Sequence, residues 1–183
     1  MLPHDEALEE LAFSEGGLLK SMAEGTIHMP SGTHGIDIIR RLTVAHEQAG
    51  QILVAGHVLG RPDLAAEGQL TIIPGGPQEA LERLQPIFDL LAKRTFITGD
   101  DPQTSTAVKI ANNFVLGSAI EVIGESMSLV RKFDVDPALF QQVLTEGLFG
   151  APAYQVYGQI IVEEEYDNVG ASVQIGLKDV NLA

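Results

Sequence analysis

Between Pro102 and Pro137 the chain carries no proline, and the stretch opens on Asp100-Asp101-Pro102, an acidic cap with a proline set for a first helical turn. One helix is expected from there to about Lys132, roughly 30 residues and on the order of 45 Å long. Asp136-Pro137, Pro152 and Ser172 open three further helices. Residues 100–183 therefore read as an all-helical domain built on one long helix.

Residues 1–99 have a different pattern. Short apolar runs suited to strands (Thr26–Met29, Ile52–Ala55, Leu70–Ile73, Arg94–Ile97) alternate with helical spacing over Asp5–Phe13, Ile36–Gln48 and Gln78–Leu91. In the last of these, Ala80, Leu81, Leu84, Ile87, Leu90 and Leu91 form one stripe. Strands separated by helices of this length predict βαβ units and a mainly parallel sheet, so the first domain is α/β. No two glycines stand two positions apart, so G-x-G-x-x-G is absent from the sequence, and so is the Walker motif. A dinucleotide pyrophosphate cannot be held by that route within these residues.

Composition removes several functions. The chain has 11 Lys+Arg against 25 Asp+Glu, a net charge of −14, and no cysteine. With no basic cluster to displace counterions, a nucleic-acid partner is not expected. Disulfides and Cys-based metal sites are excluded, and His4, His28, His34, His46 and His57 lack metal-ligand spacing. The longest apolar runs are broken by Gly, Glu or Asn before the roughly 18 residues of a membrane span. No basic segment leading into an apolar run opens the chain, and a soluble, cytoplasmic protein is expected.

Three segments could carry chemistry. In Lys109-Ile110-Ala111-Asn112-Asn113, the lysine and the two amides share one face of the long helix, with Asn113 about 40° and Asn112 about 60° to either side of Lys109. Their apolar neighbours leave two readings: a snorkelling lysine with packed amides, or a desolvated lysine able to exchange a proton near neutral pH. Glu125 lies about 160° around the same helix and suits a structural role. The segment His57-Val58-Leu59-Gly60-Arg61-Pro62-Asp63 follows a strand. Arg61 could clamp a carboxylate there, or the segment is a turn into a helix Leu64–Glu67 capped by Asp63. Ser31-Gly32-Thr33 follows Thr26–Met29 in the same topological position, where ligands collect in open α/β sheets. Glu163-Glu164-Glu165 reads as a solvated helix end.

Taken in order, the Ser-x-Thr loop, Ala66-Glu67-Gly68-Gln69-Leu70-Thr71-Ile72, Gly75-Gly76, Lys109-x-x-Asn112-Asn113 and Lys178-Asp179 resemble the β-hydroxyacid dehydrogenase superfamily. That group includes 3-hydroxyisobutyrate and 6-phosphogluconate dehydrogenases, with imine reductases as relatives, and the similarity runs over essentially the whole chain. It implies that residues 1–99 are the C-terminal half of a Rossmann-like NAD(P)-binding domain and residues 100–183 an incomplete helical substrate and dimerisation domain. Full members of the family are longer, with the pyrophosphate fingerprint ahead of Met1 and several helices beyond Ala183.

The resemblance implies hydride transfer between a nicotinamide and a small hydroxyacid or aldehyde-acid, with NAD or NADP as cofactor. Lys109 matches the catalytic lysine that handles the hydroxyl or carbonyl proton. Asn113, Ser31 and Gly32 match substrate-binding positions, as do Gly60 and Arg61. Leu2, Pro3, Thr33 and Lys178 match positions that border the cofactor. The family usually has Ser-Gly-Gly where this chain has Leu59-Gly60-Arg61, so the carboxylate either passes to Arg61 or meets a narrower pocket. A homodimer or higher homo-oligomer is implied. Two other readings are a non-catalytic dimerisation or ligand-binding module of the same ancestry, and an imine reductase, which the presence of Lys109 disfavours.

Overall fold

The computed structural model describes residues 1–167 and 172–183. They form two compact units, Met1–Ala111 with Asn181–Ala183, and Asn112–Val180. The first unit contains α1 (Asp5–Phe13), α2 (Leu18–Ser21), β1 (Ile27–His28), α3 (Ile36–Gln48), β2 (Ile52–Leu53), β3 (Ala55–Leu59), α4 (Pro62–Ala66), β4 (Leu70–Gly75), α5 (Gln78–Leu91), β5 (Ala92–Thr95) and the first turns of α6 (Pro102–Arg131).

Strand direction follows connection length. β1 and β2 run parallel, joined through α3, and β4 and β5 run parallel, joined through α5. β3 and β4 are antiparallel, pairing Ala55 with Gly75 through Leu59 with Thr71. Two of the three pairings are thus parallel and joined through helices, as expected, and only the β3–β4 pair departs from that pattern. Residues 60–69 hold only the five-residue α4, whereas a parallel return needs a crossover of about a dozen residues or more.

The run Ile52–Ala55 is not one strand but the junction of β2 and β3, and β3 continues to Leu59, so His57 lies in a strand rather than a loop. β1 is short because Pro30 has no N–H to offer, although its carbonyl still accepts from Gly56 N at 3.0 Å. β5 begins at Ala92, two residues before the predicted run, and its ladder continues with Phe96 N donating to Ile72 O. α4 starts with Arg61 as its N-cap and Pro62 in the first helical position, so Asp63 is not the cap. The fixed φ of proline suits that position.

Alternation along residues 53–55 divides the core. Leu53 and Ala55 pack with Leu8, Ala12, Ile38, Ile39 and Leu42 of α1 and α3, while Val54 packs with Ile72, Ala80, Leu81, Leu84 and Phe88. The stripe of α5 is thus 80, 81, 84 and 88, whereas Ile87, Leu90 and Leu91, assigned to it from sequence, are exposed.

α3 has no side-chain cap of its own at Gly35. Both oxygens of Asp5 accept from Gly35 N, at 3.2 and 3.1 Å, and Oδ1 stands 2.9 Å from His34 Nδ1. A carboxylate at this helix start is favourable both as an acceptor and against the helix dipole. Asp5→Ala is expected to lower stability by about 1–2 kcal/mol, read as a fall in melting temperature that Asp5→Asn partly restores.

The second unit holds the rest of α6, then α7 (Pro137–Glu146), α8 (Pro152–Glu163) and α9 (Val173–Val180). Gln141 of α7 is buried against α8, with its Nε2 donating to Tyr154 O at 3.0 Å and its amide filling the space left by Gly158. α6 spans 30 residues and contains an 18-residue window of mean hydropathy 1.2, only 17% buried. By length and composition it could cross a membrane, contrary to the expectation that no run is sufficient. Single Gly, Glu and Asn residues interrupt an apolar run without lowering its average enough.

Candidate active site

The first turns of α6 are bound to the sheet by small hydroxyl side chains. Asp101 Oδ1 accepts from Gln103 N at 2.8 Å, capping the helix. Ser105 Oγ donates to Ile73 O at 2.5 Å, and Thr98 Oγ1 and Thr104 Oγ1 are 2.8 Å apart. Ser105 and Thr106 are fully buried as a result. This anchoring presents Lys109, one turn further on, to the end of β3, where its Nζ donates to Val58 O at 2.8 Å. Lys109 is half-buried, consistent with a sheltered amine.

The loop between β1 and α3 meets the same strand. His57 of β3 is wholly buried, with Nδ1 2.7 Å from Gly32 O and Nε2 3.0 Å from Thr106 Oγ1. Gly32 cannot be replaced without movement, because a Cβ there would stand 2.5 Å from Leu2 O and 2.7 Å from His34 Nε2. Leu2, Gly32, His57, Thr106, Val58 and Lys109 therefore form one chain of contacts. Ser31 and Thr33 flank Gly32 and are half-buried, with Ser31 Oγ 3.4 Å from Met29 O. Pro3 is exposed beside Leu2.

Burial favours the uncharged form of His28, His46 and His57. Desolvation, with His34 and Lys109 nearby, pushes His57 down to about 4 against the favourable bond to Gly32. His28 is likewise pushed down to about 4, first by burial and then by His46 and His34, and burial also lowers His46. A buried relay holds the latter pair: His28 Nδ1 is 2.9 Å from His46 Nε2, and His46 Nδ1 is 2.7 Å from Gln51 Oε1. Gln51 Nε2 donates to Leu19 O and Met22 O, at 3.2 and 2.7 Å, which fixes its amide orientation. An amide oxygen only accepts, so His46 Nδ1 carries a proton, and His28 Nδ1 donates to His46 Nε2.

Gly60 and Arg61 end the same strand. Gly60 has φ +142°, and a Cβ there would meet Leu70 Cδ2 at 2.7 Å. Arg61 is exposed, its Nε 3.6 Å from Asp63 Oδ1, too long for a hydrogen bond. In the second unit, Asn113 Nδ2 donates to Asp179 Oδ2 at 2.7 Å. Lys178 Nζ stands 2.8 Å from Asp179 Oδ1, an ion-pair distance without hydrogen-bond alignment. Asn113 and Lys178 thus share the Asp179 carboxylate. Asn112 and Glu125 are exposed.

The sequence gives no signal for the roles of the Val58 carbonyl and Asp5, whereas Thr106 stands as a hydroxyl three residues before Lys109 and Asp179 belongs to the Lys178-Asp179 motif.

The arrangement can hold a lysine amine at the end of a strand beside a glycine loop, as proton transfer to a small oxygenated substrate requires. The profile of the NAD binding domain of 6-phosphogluconate dehydrogenase matches residues 1–99. That of the NAD-binding domain of NADP-dependent 3-hydroxyisobutyrate dehydrogenase matches residues 104–183. The chain is 38% identical to the uncharacterized oxidoreductase YfjR of Bacillus subtilis over all of its own length and 64% of the relative's. It is 30% identical to 2-hydroxy-3-oxopropionate reductase of Escherichia coli, again over its whole length and 62% of the relative's. It therefore spans somewhat under two thirds of these curated relatives. A crystal structure of 3-hydroxyisobutyrate dehydrogenase from Salmonella typhimurium shares the fold with a TM-score of 0.86 at 23% identity, covering 98% of this chain and 62% of that one. The chain belongs to the β-hydroxyacid dehydrogenase superfamily.

Proposed function

We propose that this protein is an NAD(P)-dependent oxidoreductase of small hydroxyacids or aldehyde-acids, with Lys109 as its proton donor and acceptor. The observation that carries the reading is the Lys109 amine held 2.8 Å from Val58 O, on a strand that also grips the Gly32 loop. The residues present fit the nicotinamide end of the cofactor: Leu2 packs so closely on Gly32 that only a bare backbone can pass there. Leu2, Pro3 and Thr33 would hold it, and the family resemblance alone gives Lys178 a place at the cofactor, while the sequence contains no glycine fingerprint for its pyrophosphate. When bound, the cofactor exchanges a hydride with the substrate carbon.

The chain's own residues supply the rest. In reduction an N–H of the Lys109 ammonium gives its proton to the carbonyl oxygen as that oxygen gains negative charge. In oxidation the neutral amine takes the hydroxyl proton back. Ser31, Gly32 and Gly60 bind the substrate through the loop and strand end, and Arg61 pairs with its carboxylate; a substrate-binding role for Asn113 rests on the family resemblance alone. Phe114, Val115, Val122 and Leu129 are exposed along α6, together with Glu121 and Glu125. Two carboxylates in hydrocarbon would cost about 2.5 kcal/mol or more each, which argues against lipid as the cover of this helix; a second copy of the chain there is what the family resemblance implies.

The test is a titration of the purified protein with NADH and NADPH, following nicotinamide fluorescence, which no tryptophan obscures. Saturable binding is expected, followed by turnover of 2-hydroxy-3-oxopropionate or 3-hydroxyisobutyrate. Folded protein that binds neither cofactor at millimolar concentration would overturn the enzyme reading. A non-catalytic dimerisation or ligand-binding module of the same ancestry would then take its place.

A further inference from the structure

We propose that His57 is a positioning residue whose two ring nitrogens lock the Ser31–Thr33 loop and the turn of α6 before Lys109 to the same point of β3. The assignment rests on the proposed function for its kinetic consequence but not for its geometry.

Gly32 O can only accept, so at 2.7 Å His57 Nδ1 must carry the hydrogen. In the neutral ring Nε2 is then an acceptor, and Thr106 Oγ1, 3.0 Å away, must donate. The hydroxyl has one proton, and its other acceptor, Pro102 O, is 3.5 Å distant. The direction of both bonds is therefore fixed. Lys109 Nζ and His34 face the ring, and both disfavour a charge on it.

Sequence distance makes the arrangement specific. The ring joins residues 25 positions upstream and 49 positions downstream of itself. Thr106 and Lys109 are three apart on α6 and share a face. The adjacent peptide, at Val58, accepts the Lys109 amine. One dipeptide of β3 therefore sets the loop carbonyl, the helix turn and the ammonium. On its far side the loop meets Leu2 O and His34 Nε2, which leave no room for a Cβ at Gly32. With His57 removed, the Gly32 carbonyl would lose the imidazole that holds it to β3.

Three variants separate the two bonds. His57→Phe removes both; His57→Asn keeps a donor near the Nδ1 position; Thr106→Val removes only the donor to Nε2. Amide hydrogen exchange at Gly32 and Thr33 is expected to rise about tenfold in His57→Phe. It should return toward wild type in His57→Asn and stay unchanged in Thr106→Val. Imidazole nitrogen NMR of the wild type should report the Nδ1–H tautomer. In kinetics, His57→Phe should raise the hydroxyacid KM, whereas Thr106→Val should lower kcat about tenfold with KM within about twofold. A purely structural role would lower the melting temperature of each variant but leave local exchange and the kinetic constants of folded protein unchanged.

An Nε2–H tautomer, or wild-type exchange at Gly32 and Thr33 in both folded His57 variants, would overturn the assignment. Should the wild type show no turnover while exchange and tautomer behave as stated, the enzyme reading fails and the positioning role of His57 stands.

Discussion

Lys109→Met is expected to lower kcat by about 10²–10⁴-fold, the range supplied by a positioned acid or base, with NAD(P)H affinity changed by less than about twofold. Methionine keeps the length and apolar stem of the side chain but has no proton to exchange. The structural cost is one donor to Val58 O, worth about 1 kcal/mol, so the variant should remain folded. Lys109→Arg should not rescue turnover, because a guanidinium fills the site with charge yet cannot give up its proton. Stopped-flow or steady-state rates beside a cofactor titration separate the outcomes. Near wild-type kcat in Lys109→Met would remove this residue from the chemistry. Loss of cofactor affinity along with kcat would give it a binding role instead.

Stability is expected to fall as pH is lowered from about 6.5 to about 4, the interval between the ordinary and the folded values of His28 and His57. In that interval the unfolded chain binds protons that the buried rings refuse, so acid favours unfolding. Above 6.5 the contribution is fully present; below about 4 both states are protonated and the slope ends. For His57, wholly buried, the interval corresponds to roughly 3 kcal/mol. His46 acts in the same direction, its ring lying in the relay with His28 and Gln51. The net charge of −14 works the other way, since protonating carboxylates relieves self-repulsion. Glu9, held below the usual carboxylate range by its bond to Arg41, adds to the loss only at the acid end, so a fall that begins near pH 6.5 belongs to the histidines. All five histidines lie in the unit Met1–Ala111. Urea melts at several pH values should show the loss, and hydrogen exchange should place it there rather than in α7 and α8. Replacing His57 by Asn should flatten the slope by about one proton. Melting that is flat or rises between pH 6.5 and 4.5 would contradict the buried, neutral imidazoles.

The helices were the most legible part of the chain. α1, α3 and α5 carry the bounds expected from apolar spacing, and α6 begins at the proline that marks it. Errors arose where a choice depended on something distant. Phe88, rather than Ile87, faces the core of α5, since the tilt of the helix on Val54 and Ile72 is not contained in its own spacing. β3 was misjudged because the register of His57-Val58-Leu59 is fixed by pairing with Thr71–Ile73. Lys109 was legible as a polar residue on an apolar face, and the family resemblance implies a role for it. The segments around Gly32 and His57 were legible as candidates too, but their contacts with each other and with Thr106 were not, because those depend on tertiary packing.

The sequence by itself determined which segments are helical, that one long helix divides two kinds of structure, and that Lys109 and Asn113 share a face of it. Caps, prolines and apolar periodicity act within a few residues, and a linear reading reaches that far. Tertiary structure alone decided that Asp5 serves the start of α3, that His57 joins Gly32 to Thr106, and that Asn113 meets Asp179. These pairs stand 30, 25, 49 and 66 residues apart. Such contacts form because burial leaves each polar atom in need of a partner, and packing rather than chain order determines which one is within reach.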